Sequence, residues 1–156
     1  AELTREHNVS VRFIEEMPFN GDGAHEYQEF WNYRRILEEL KKQYPGIYKL
    51  PDPPASTSYN YQIPNHKGTI GIIAAFSRTF CGTCNRIRLT PQGQFKTCLY
   101  DEGVFNIKDV LRQGLNDEAV KQIIYKALQN RAKDGFEAEA NRKVSLVSES
   151  MSTIGG

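Results

Sequence analysis

The spacing of three cysteines is the feature that most constrains how this chain can fold. Within FCGTCNRIRLTPQGQFKTCL (residues 80–99), two residues separate Cys81 from Cys84, and thirteen more precede Cys98. Two thiolates at C-x-x-C spacing can bind one metal centre from a single tight turn, and the third must return from a distance. The Pro-Gln-Gly sequence at 91–93 predicts the turn of a β-hairpin that brings Cys98 back beside the first two. Three ligands leave one coordination position open, which is typical of a reactive site.

The bulk properties are those of one ordinary soluble domain. The 156 residues are 39% apolar and 25% charged, and no apolar run approaches the roughly 20 residues that cross a bilayer. No signal segment opens the chain. Because three cysteines cannot all pair, we expect reduced, metal-binding or catalytic thiols, in the bacterial cytoplasm or an equivalent reducing compartment. Residues 1–8 read as mid-protein sequence, so we also expect a fragment of a longer protein.

Charge is distributed unevenly along the sequence. The net charge is only +1, yet residues 53–100 contain five Lys or Arg and no Asp or Glu, while the other residues hold all 19 acidic side chains. This acid-free stretch suits an anionic ligand or an anionic metal–thiolate centre. A basic face exposed to solvent is the alternative interpretation.

Two apolar segments predict neighbouring elements of a buried sheet. Residues 8–17, NVSVRFIEEM, predict a strand buried on at least one face. Residues 68–76, GTIGIIAAF, predict a second buried strand that leads into the cysteine turn, with Gly71 indicating close approach of another segment. Arg12 and Glu15 lie within the first strand, where they could face a ligand crevice, pair with each other or face solvent.

Helices and loops are predicted around these strands. The apolar stripe of residues 24–43 predicts one helix, and residues 57–62 predict a short strand within a proline-rich loop. The three histidines, His7, His25 and His66, stand in loop-like contexts and are interpreted as surface residues.

The last third of the chain predicts two capped helices and a slender tail. Asn106 is expected to cap a short helix that runs through about Arg112, and Asn116 a longer one. The sequence ends at Gly155 and Gly156, which could enter a narrow pocket.

These residues resemble a known enzyme family. The segments RFIEEMPF (12–19) and GTIGII (68–73), the cysteine stretch and the closing Gly-Gly are similar to the C-terminal portion of the GTP 3′,8-cyclase family, molybdenum cofactor biosynthesis protein A, in the radical S-adenosylmethionine superfamily. The cysteine stretch is specific because it combines C-x2-C-x13-C with an Asn-Arg-x-Arg run. The resemblance extends from the first strand to the last residue.

The resemblance implies roles for the cysteine stretch. Cys81, Cys84 and Cys98 would ligate a [4Fe–4S] cluster whose fourth iron has no protein ligand and binds the guanine of GTP. Arg86 and Arg88 would line the substrate site. The residue types agree, since thiolates suit iron–sulfur chemistry and guanidinium groups suit planar recognition of purine edges or phosphate.

The resemblance also implies roles outside that stretch. Arg12 would contribute to the substrate pocket, and the Gly155-Gly156 tail would reach into the active site and be needed for activity. The implied fold is α/β. Residues 1–50 would form the last strand–helix unit of an incomplete TIM-like barrel. Residues 51–156 would form a C-terminal iron–sulfur and GTP-binding domain of antiparallel strands and helices.

The implied reaction is the conversion of GTP to 3′,8-cyclo-7,8-dihydro-GTP, the first step of molybdenum cofactor (molybdopterin) biosynthesis, by a lyase. In the family, a second cluster on an N-terminal C-x-x-x-C-x-x-C motif cleaves S-adenosylmethionine. That motif is absent here, and no cysteines remain to make one. We therefore expect a substrate-binding portion that is inactive alone, with S-adenosylmethionine bound by the missing N-terminal portion.

The expected partners follow from the same resemblance. They are GTP, the rest of the barrel, a second copy in a full-length homodimer and the downstream cyclic pyranopterin monophosphate synthase. Neither nucleic acid nor a membrane is expected.

Three alternatives remain open from the residues. The chain could be an auxiliary-cluster domain of another radical S-adenosylmethionine enzyme, although such domains tend to carry more cysteines. It could be a non-catalytic zinc-binding module, for which His66 would have to complete a Cys3His set. The three cysteines could also be inert buried residues.

Overall fold

Two units, each built around its own β-sheet, make up the part of the chain that the computed structural model describes, which is residues 1–17, 31–143, 150 and 154. The described residues of the first unit are 1–17 and 31–84, and those of the second are the remainder. Both units combine helices with strands, so the predicted α/β class is confirmed. The first sheet takes strands from both sides of residue 50, where the predicted domain boundary stays a prediction.

The first unit contains a four-stranded mixed sheet. In chain order its elements are α1 (Leu3–Glu6), β1 (Ser10–Ile14), α2 (Tyr33–Gln43), β2 (Tyr48–Lys49), β3 (Ser58–Gln62), β4 (Thr69–Ile73) and a 3₁₀ turn (Cys81–Thr83). The strand order is β1-β4-β3-β2, in which β1 and β4 are parallel and the other pairs antiparallel. The two strands predicted from apolar segments are therefore confirmed, and they are neighbours.

The core of the first unit joins α2 to this sheet. Its buried residues come from the helix, from β3 and β4 and from the loops beside them: Ile36, Leu40, Ile47, Tyr61, Ile63, Ile70 and Ile72. Ile70 and Ile72 are fully buried, and burying an isoleucine side chain contributes about 1.5–3 kcal/mol. This packing fixes β4, which is the strand that leads to the cysteine turn.

The start of α2 corrects one prediction. The helix expected over residues 24–43 ends at Gln43 as predicted but begins at Tyr33. Asn32 has an extended backbone, and its side-chain oxygen accepts a hydrogen bond from Arg35 N at 3.0 Å, so it is the N-cap. Residues 24–30 lie outside the described residues. The prediction was wrong at residues 31–32 because it continued the apolar stripe through a capping residue.

In its described residues, the second unit contains a three-stranded antiparallel sheet followed by three helices. Its elements are β5 (Arg88–Leu89), β6 (Gln94–Lys96), β7 (Phe105–Asn106), α3 (Ile107–Arg112), α4 (Asp117–Gln129) and α5 (Gly135–Ala140). The strand order is β5-β6-β7. The predicted hairpin is confirmed as β5 and β6. Gly93 closes its turn with a φ of 93°, a conformation that glycine adopts without strain.

Two helices of the second unit, α3 and α4, begin where the sequence predicts, whereas α5 was not predicted. Asn106 accepts a hydrogen bond from Lys108 N, and Asn116 accepts one from Ala119 N, so each caps its helix. The apolar stripe of α4 is at least half-buried throughout: Val120, Ile123, Ile124, Ala127 and Leu128. Among the helices in the described ranges, none is long and apolar enough to cross a membrane.

Candidate functional site

The C-x-x-C pair lies on a single 3₁₀ turn that follows β4. Cys84 N donates a hydrogen bond to Cys81 O at 3.2 Å, which closes the turn. Neither cysteine is in a disulfide, and both are half-buried. A Cβ added at Gly82, between them, would meet no described atom within 4 Å, so the outer side of the turn is open. Two partly accessible thiols on one turn fit two ligands of a metal or iron–sulfur centre.

Successive backbone turns connect β4 to this cysteine turn. Ala75 N donates to Ile73 O at 2.9 Å, Arg78 N donates to Ala74 O at 2.8 Å, and Cys81 N donates to Arg78 O at 3.2 Å. Arg78 has a φ of 54°, which is uncommon for a residue with a side chain. The position of the cysteine turn thus follows from the end of β4 through an unbroken series of short-range hydrogen bonds.

A buried carboxylate fixes the middle of that connection. Glu15 is only 1% exposed. Its Oε1 accepts hydrogen bonds from Tyr33 N at 2.6 Å and Ser77 Oγ at 2.8 Å, and its Oε2 accepts one from Ser77 N at 2.6 Å. The carboxylate therefore joins the end of β1, the first turn of α2 and the segment before the cysteines. This position, held by main-chain donors, differs from the three that the sequence left open for Glu15.

Arg12 lies on the exposed side of β1, across from Gly71 of β4. A Cβ at Gly71 would lie 2.5 Å from Ser58 Oγ, 3.2 Å from Arg12 Cγ and 3.3 Å from Arg12 Nη1. The predicted close approach at Gly71 is thus confirmed, and the approaching groups are side chains. Because Gly71 has no side chain, the Arg12 side chain has room to extend over β4.

Cys98 belongs to the second unit, where a carboxylate organises its backbone. Asp101 Oδ2 accepts hydrogen bonds from Cys98 N at 2.8 Å, Thr97 N at 2.8 Å and Thr97 Oγ1 at 3.0 Å. Its Oδ1 accepts one from Gly103 N at 2.8 Å. Cys98 is not in a disulfide, and it is half-buried. The loop that presents this thiol is closed by Asp101.

Arg86 and Arg88 begin the hairpin of the second unit. Arg86 is exposed, and Arg88 is half-buried on β5, directly opposite Lys96 of β6. Directly opposed residues of an antiparallel pair have side chains on the same face. Arg88 and the buried Lys96 therefore give one face of the hairpin two cationic groups, which suits an anion.

A cavity of about 300 Å³ adjoins the cysteine turn within the first unit. Its walls are the loop at residues 52–57, the first two residues of β3, and Thr79, Phe80 and Thr83. This volume is at the lower end of the range for small-molecule sites, about 300–1,000 Å³.

Two further predictions concern the Gly155-Gly156 tail and the binding of one metal centre by three cysteines. Gly155 and Gly156 lie outside the described residues. Within the ranges the structure describes, no group of three or more His, Cys, Asp or Glu side chains is placed to hold a metal ion. Coordination of one centre by all three cysteines therefore stays a prediction.

His66 corrects the prediction of a surface residue. It is 9% exposed, and its Nδ1 lies 2.8 Å from the buried Thr4 Oγ1. Its ring also meets the Tyr44 ring edge-on at 5.7 Å. These contacts give His66 a packing role beneath α1, and its Nδ1 is already hydrogen-bonded.

Two residues at the site escaped the sequence reasoning. Ser77 carries no motif, and nothing local indicates its bond to Glu15, 62 positions away. Asp101 could have been found, because it is the first acidic residue after the acid-free stretch and stands three positions beyond Cys98, within reach of its N–H.

The sequence of this chain was compared with those of known proteins. The family model described as Molybdenum Cofactor Synthesis C matches residues 9–137, which include β1, both cysteine segments and the hairpin. The chain belongs to this family.

Individual members of the Molybdenum Cofactor Synthesis C family also match this chain, and the match lies in the C-terminal part of each relative. "GTP 3′,8-cyclase, mitochondrial" of Arabidopsis thaliana is 36% identical over 136 residues, covering 83% of this chain and 33% of that protein. "GTP 3′,8-cyclase" of Chlorobaculum tepidum is 35% identical over 155 residues, covering 99% of this chain and 46% of that protein. "Molybdenum cofactor biosynthesis protein 1" of Homo sapiens is 36% identical over 124 residues, covering 80% of this chain and 19% of that protein. The chain thus spans less than half the length of these curated relatives.

Proposed function

We propose that this chain is the substrate-binding C-terminal part of an enzyme that converts GTP to 3′,8-cyclo-7,8-dihydro-GTP, the first step of molybdenum cofactor biosynthesis. The observation that carries the proposal is the Cys81–Cys84 turn in a chain of this family. It presents two half-buried thiols from one turn, as an iron–sulfur centre requires. Relatives from two kingdoms carry the name GTP 3′,8-cyclase.

The proposed cofactor is a [4Fe–4S] cluster held by Cys81, Cys84 and Cys98. When bound, the cluster supplies an iron without a protein ligand that can accept a nitrogen or oxygen of guanine. The chain supplies the thiolates and a surrounding stretch without acidic residues, which favours both an anionic centre and an anionic substrate.

The proposed substrate contacts are Arg12, Arg86 and Arg88. Guanidinium groups bind phosphate and purine edges through paired N–H donors, which a lysine cannot reproduce. Support comes from the exposure of Arg12 over Gly71 and from the shared face of Arg88 and Lys96. The Gly155-Gly156 tail is proposed to enter the same site.

The complete enzyme is proposed to contain a partial barrel to which residues 1–50, with β1 and α2, belong. The portion that precedes this chain would carry the C-x-x-x-C-x-x-C motif and bind S-adenosylmethionine, so the chain alone would be inactive. The full-length enzyme would work as a homodimer in a reducing compartment such as the bacterial cytoplasm, upstream of cyclic pyranopterin monophosphate synthase.

Anaerobic reconstitution with iron and sulfide tests the cofactor. We expect a brown protein with about four irons per chain, as a [4Fe–4S] cluster requires, and loss of that iron in Cys81→Ala, Cys84→Ala and Cys98→Ala. A colourless product that holds one zinc would instead indicate a zinc-binding module and would refute the proposal.

GTP titration of the reconstituted protein tests the substrate. We expect GTP to change the spectrum of the cluster, and Arg86→Ala or Arg88→Ala to weaken this response. Arg112→Ala is the matched control, because Arg112 is an exposed arginine of the same unit, with its Nη1 3.9 Å from Asp109 Oδ1. An undiminished response in both test variants would refute the roles of Arg86 and Arg88.

Removal of Gly155 and Gly156 from the full-length enzyme tests the tail. The truncated enzyme should retain its iron but lose turnover. Full activity after truncation would exclude a role for the tail.

A further inference from the structure

We propose that Glu15 and Asp101 are positioning residues, each of which holds one cysteine-bearing segment in place through main-chain N–H groups. Glu15 acts on the C-x-x-C turn and Asp101 acts on Cys98. The inference depends on the proposed function only for the identity of the group that the cysteines bind. The holding contacts are properties of the chain itself.

Glu15 is suited to this role by its burial and by its donors. Its carboxylate accepts hydrogen bonds from Tyr33 N, Ser77 N and Ser77 Oγ, all at 2.6–2.8 Å. A carboxylate accepts hydrogen bonds only, so three converging donors select for it. Its negative charge also lies at the N-terminus of α2, where the helix dipole favours it. Removing the carboxylate would leave buried donors unsatisfied.

The effect of Glu15 reaches the cysteines through the segment that contains Ser77. Ser77 lies between Ala74 and Arg78, whose backbone hydrogen bond spans 2.8 Å, and Arg78 O accepts from Cys81 N. Because these bonds follow one another without a gap, a shift of Ser77 moves Arg78 and then the turn. Glu15 therefore connects the packed core around α2 to the two thiols.

Asp101 acts on Cys98 directly. The carboxylate accepts from the N–H of Cys98 itself and from both donors of Thr97, and its second oxygen accepts from Gly103 N. These four donors among the described residues converge on one carboxylate, three on Oδ2 and one on Oδ1. Bonds of this kind, from N–H and O–H to an ionised acceptor, are stronger than bonds between neutral groups.

Both positioning residues are acidic, although acidic groups are unfavourable close to thiolates or phosphates. Acidic groups near thiolates or phosphates would repel them, and the stretch from residue 53 to 100 contains none. Both carboxylates come from outside this stretch, Asp101 directly after it and Glu15 well before it. Each directs its oxygens at N–H and O–H groups, so the chain gains strong acceptors while the described acceptor atoms of both residues stay engaged.

Alkylation of the metal-free 156-residue chain tests the proposal, with the rate at each cysteine measured by mass spectrometry. In Glu15→Gln, Cys81 and Cys84 should react about five- to tenfold faster while Cys98 is unchanged, since the segment opens more often when a holding bond is lost. In Asp101→Asn, Cys98 alone should react faster by a similar factor. This reciprocal pattern cannot arise from a general loss of stability.

Glu16→Gln and Asp109→Asn are the matched controls, because both residues are exposed acids beside or near the test residues. They should leave all three rates unchanged. Ser77→Ala keeps the test informative should Glu15→Gln not fold. It removes one donor and should raise the Cys81 and Cys84 rates about twofold to threefold.

Two results would overturn the proposal. One is an equal rise at all three cysteines in a test variant, which would indicate lost global stability. The other is no change at the cysteines that the altered carboxylate holds. Neither result depends on iron, so a failed reconstitution would refute the proposed function and leave the positioning roles to be decided by the alkylation rates.

Discussion

Gly68→Ala should strongly destabilise the first unit. Gly68 precedes β4, and a Cβ there would lie 2.1 Å from Val9 O, 2.7 Å from His7 O and 2.8 Å from Val9 N. All three are backbone atoms, so no rotation of a side chain can relieve the overlap. Gly68 N also donates to Thr4 O, and Thr69 N donates to Val9 O, both at 2.9 Å. The methyl group would thus push apart the segments whose hydrogen bonds begin the β1–β4 pair.

The size of the effect follows from these distances. Real Cβ contacts essentially never fall below 3.0 Å, so Val9 O must move away by about 0.9 Å. Losing the two backbone hydrogen bonds costs about 0.5–1.5 kcal/mol each, and overpacking a dense site costs about 1–3 kcal/mol. The free energy of unfolding should therefore fall by about 2–6 kcal/mol, and Tm by at least about 4 °C.

Unfolding monitored by tryptophan fluorescence measures this effect in the first unit, which contains Gly68. The chain has one tryptophan, Trp31, which belongs to the first unit. Gly82→Ala is the matched control, since a Cβ there meets no described atom within 4 Å, and it should change stability by less than about 0.5 kcal/mol. If Gly68→Ala were as stable as this control, the close approach of β1 and β4 at Gly68 would be refuted.

Two further predictions concern the same unit. Ser58 Oγ is buried with no hydrogen-bond partner among the described residues, so Ser58→Ala should be neutral or stabilising by up to about 1 kcal/mol. It should also partly rescue Gly71→Ala, whose Cβ would lie 2.5 Å from that oxygen, and a double-mutant cycle would show no coupling if this contact were wrong. Separately, the pKa of Glu2 is lowered from 4.5 to about 2, first by its hydrogen bond from Arg5. Because the folded pKa is the lower one, this stabilisation is present above pH 4.5 and lost as the pH falls towards 2. An NMR titration should find the low midpoint in the native chain and a higher one in Arg5→Ala, and equal midpoints would contradict the assignment.

Local sequence patterns predicted much of the fold because the features they encode act over a few residues. The alternation of apolar residues located β1, and the continuous apolar run located β4, although both strands are shorter than their segments. The caps at Asn106 and Asn116 were predicted because an N-cap side chain bonds an N–H only two or three positions ahead. The same rule applied to Asn32 would have corrected the start of α2.

The contacts that the sequence did not predict join positions that are distant in the chain. Glu15 bonds Ser77, and Thr4 bonds His66, each across 62 positions. A strand pattern indicates which residues are buried, but it cannot indicate which donor will satisfy a buried carboxylate or imidazole. For Glu15, the pattern allowed a crevice, an ion pair or solvent, and the structure shows main-chain and hydroxyl donors instead.

Because the Glu15 carboxylate is buried, the few contacts that satisfy it have a large effect on the fold. A buried acid without donors is strongly unfavourable, so Glu15 is compatible with the fold only if Tyr33 and Ser77 reach it. Those donors belong to a helix start and to the segment before the cysteines. The requirement to satisfy one side chain therefore fixes three segments at once, and the cysteine turn is placed by the residue whose position the sequence left most open.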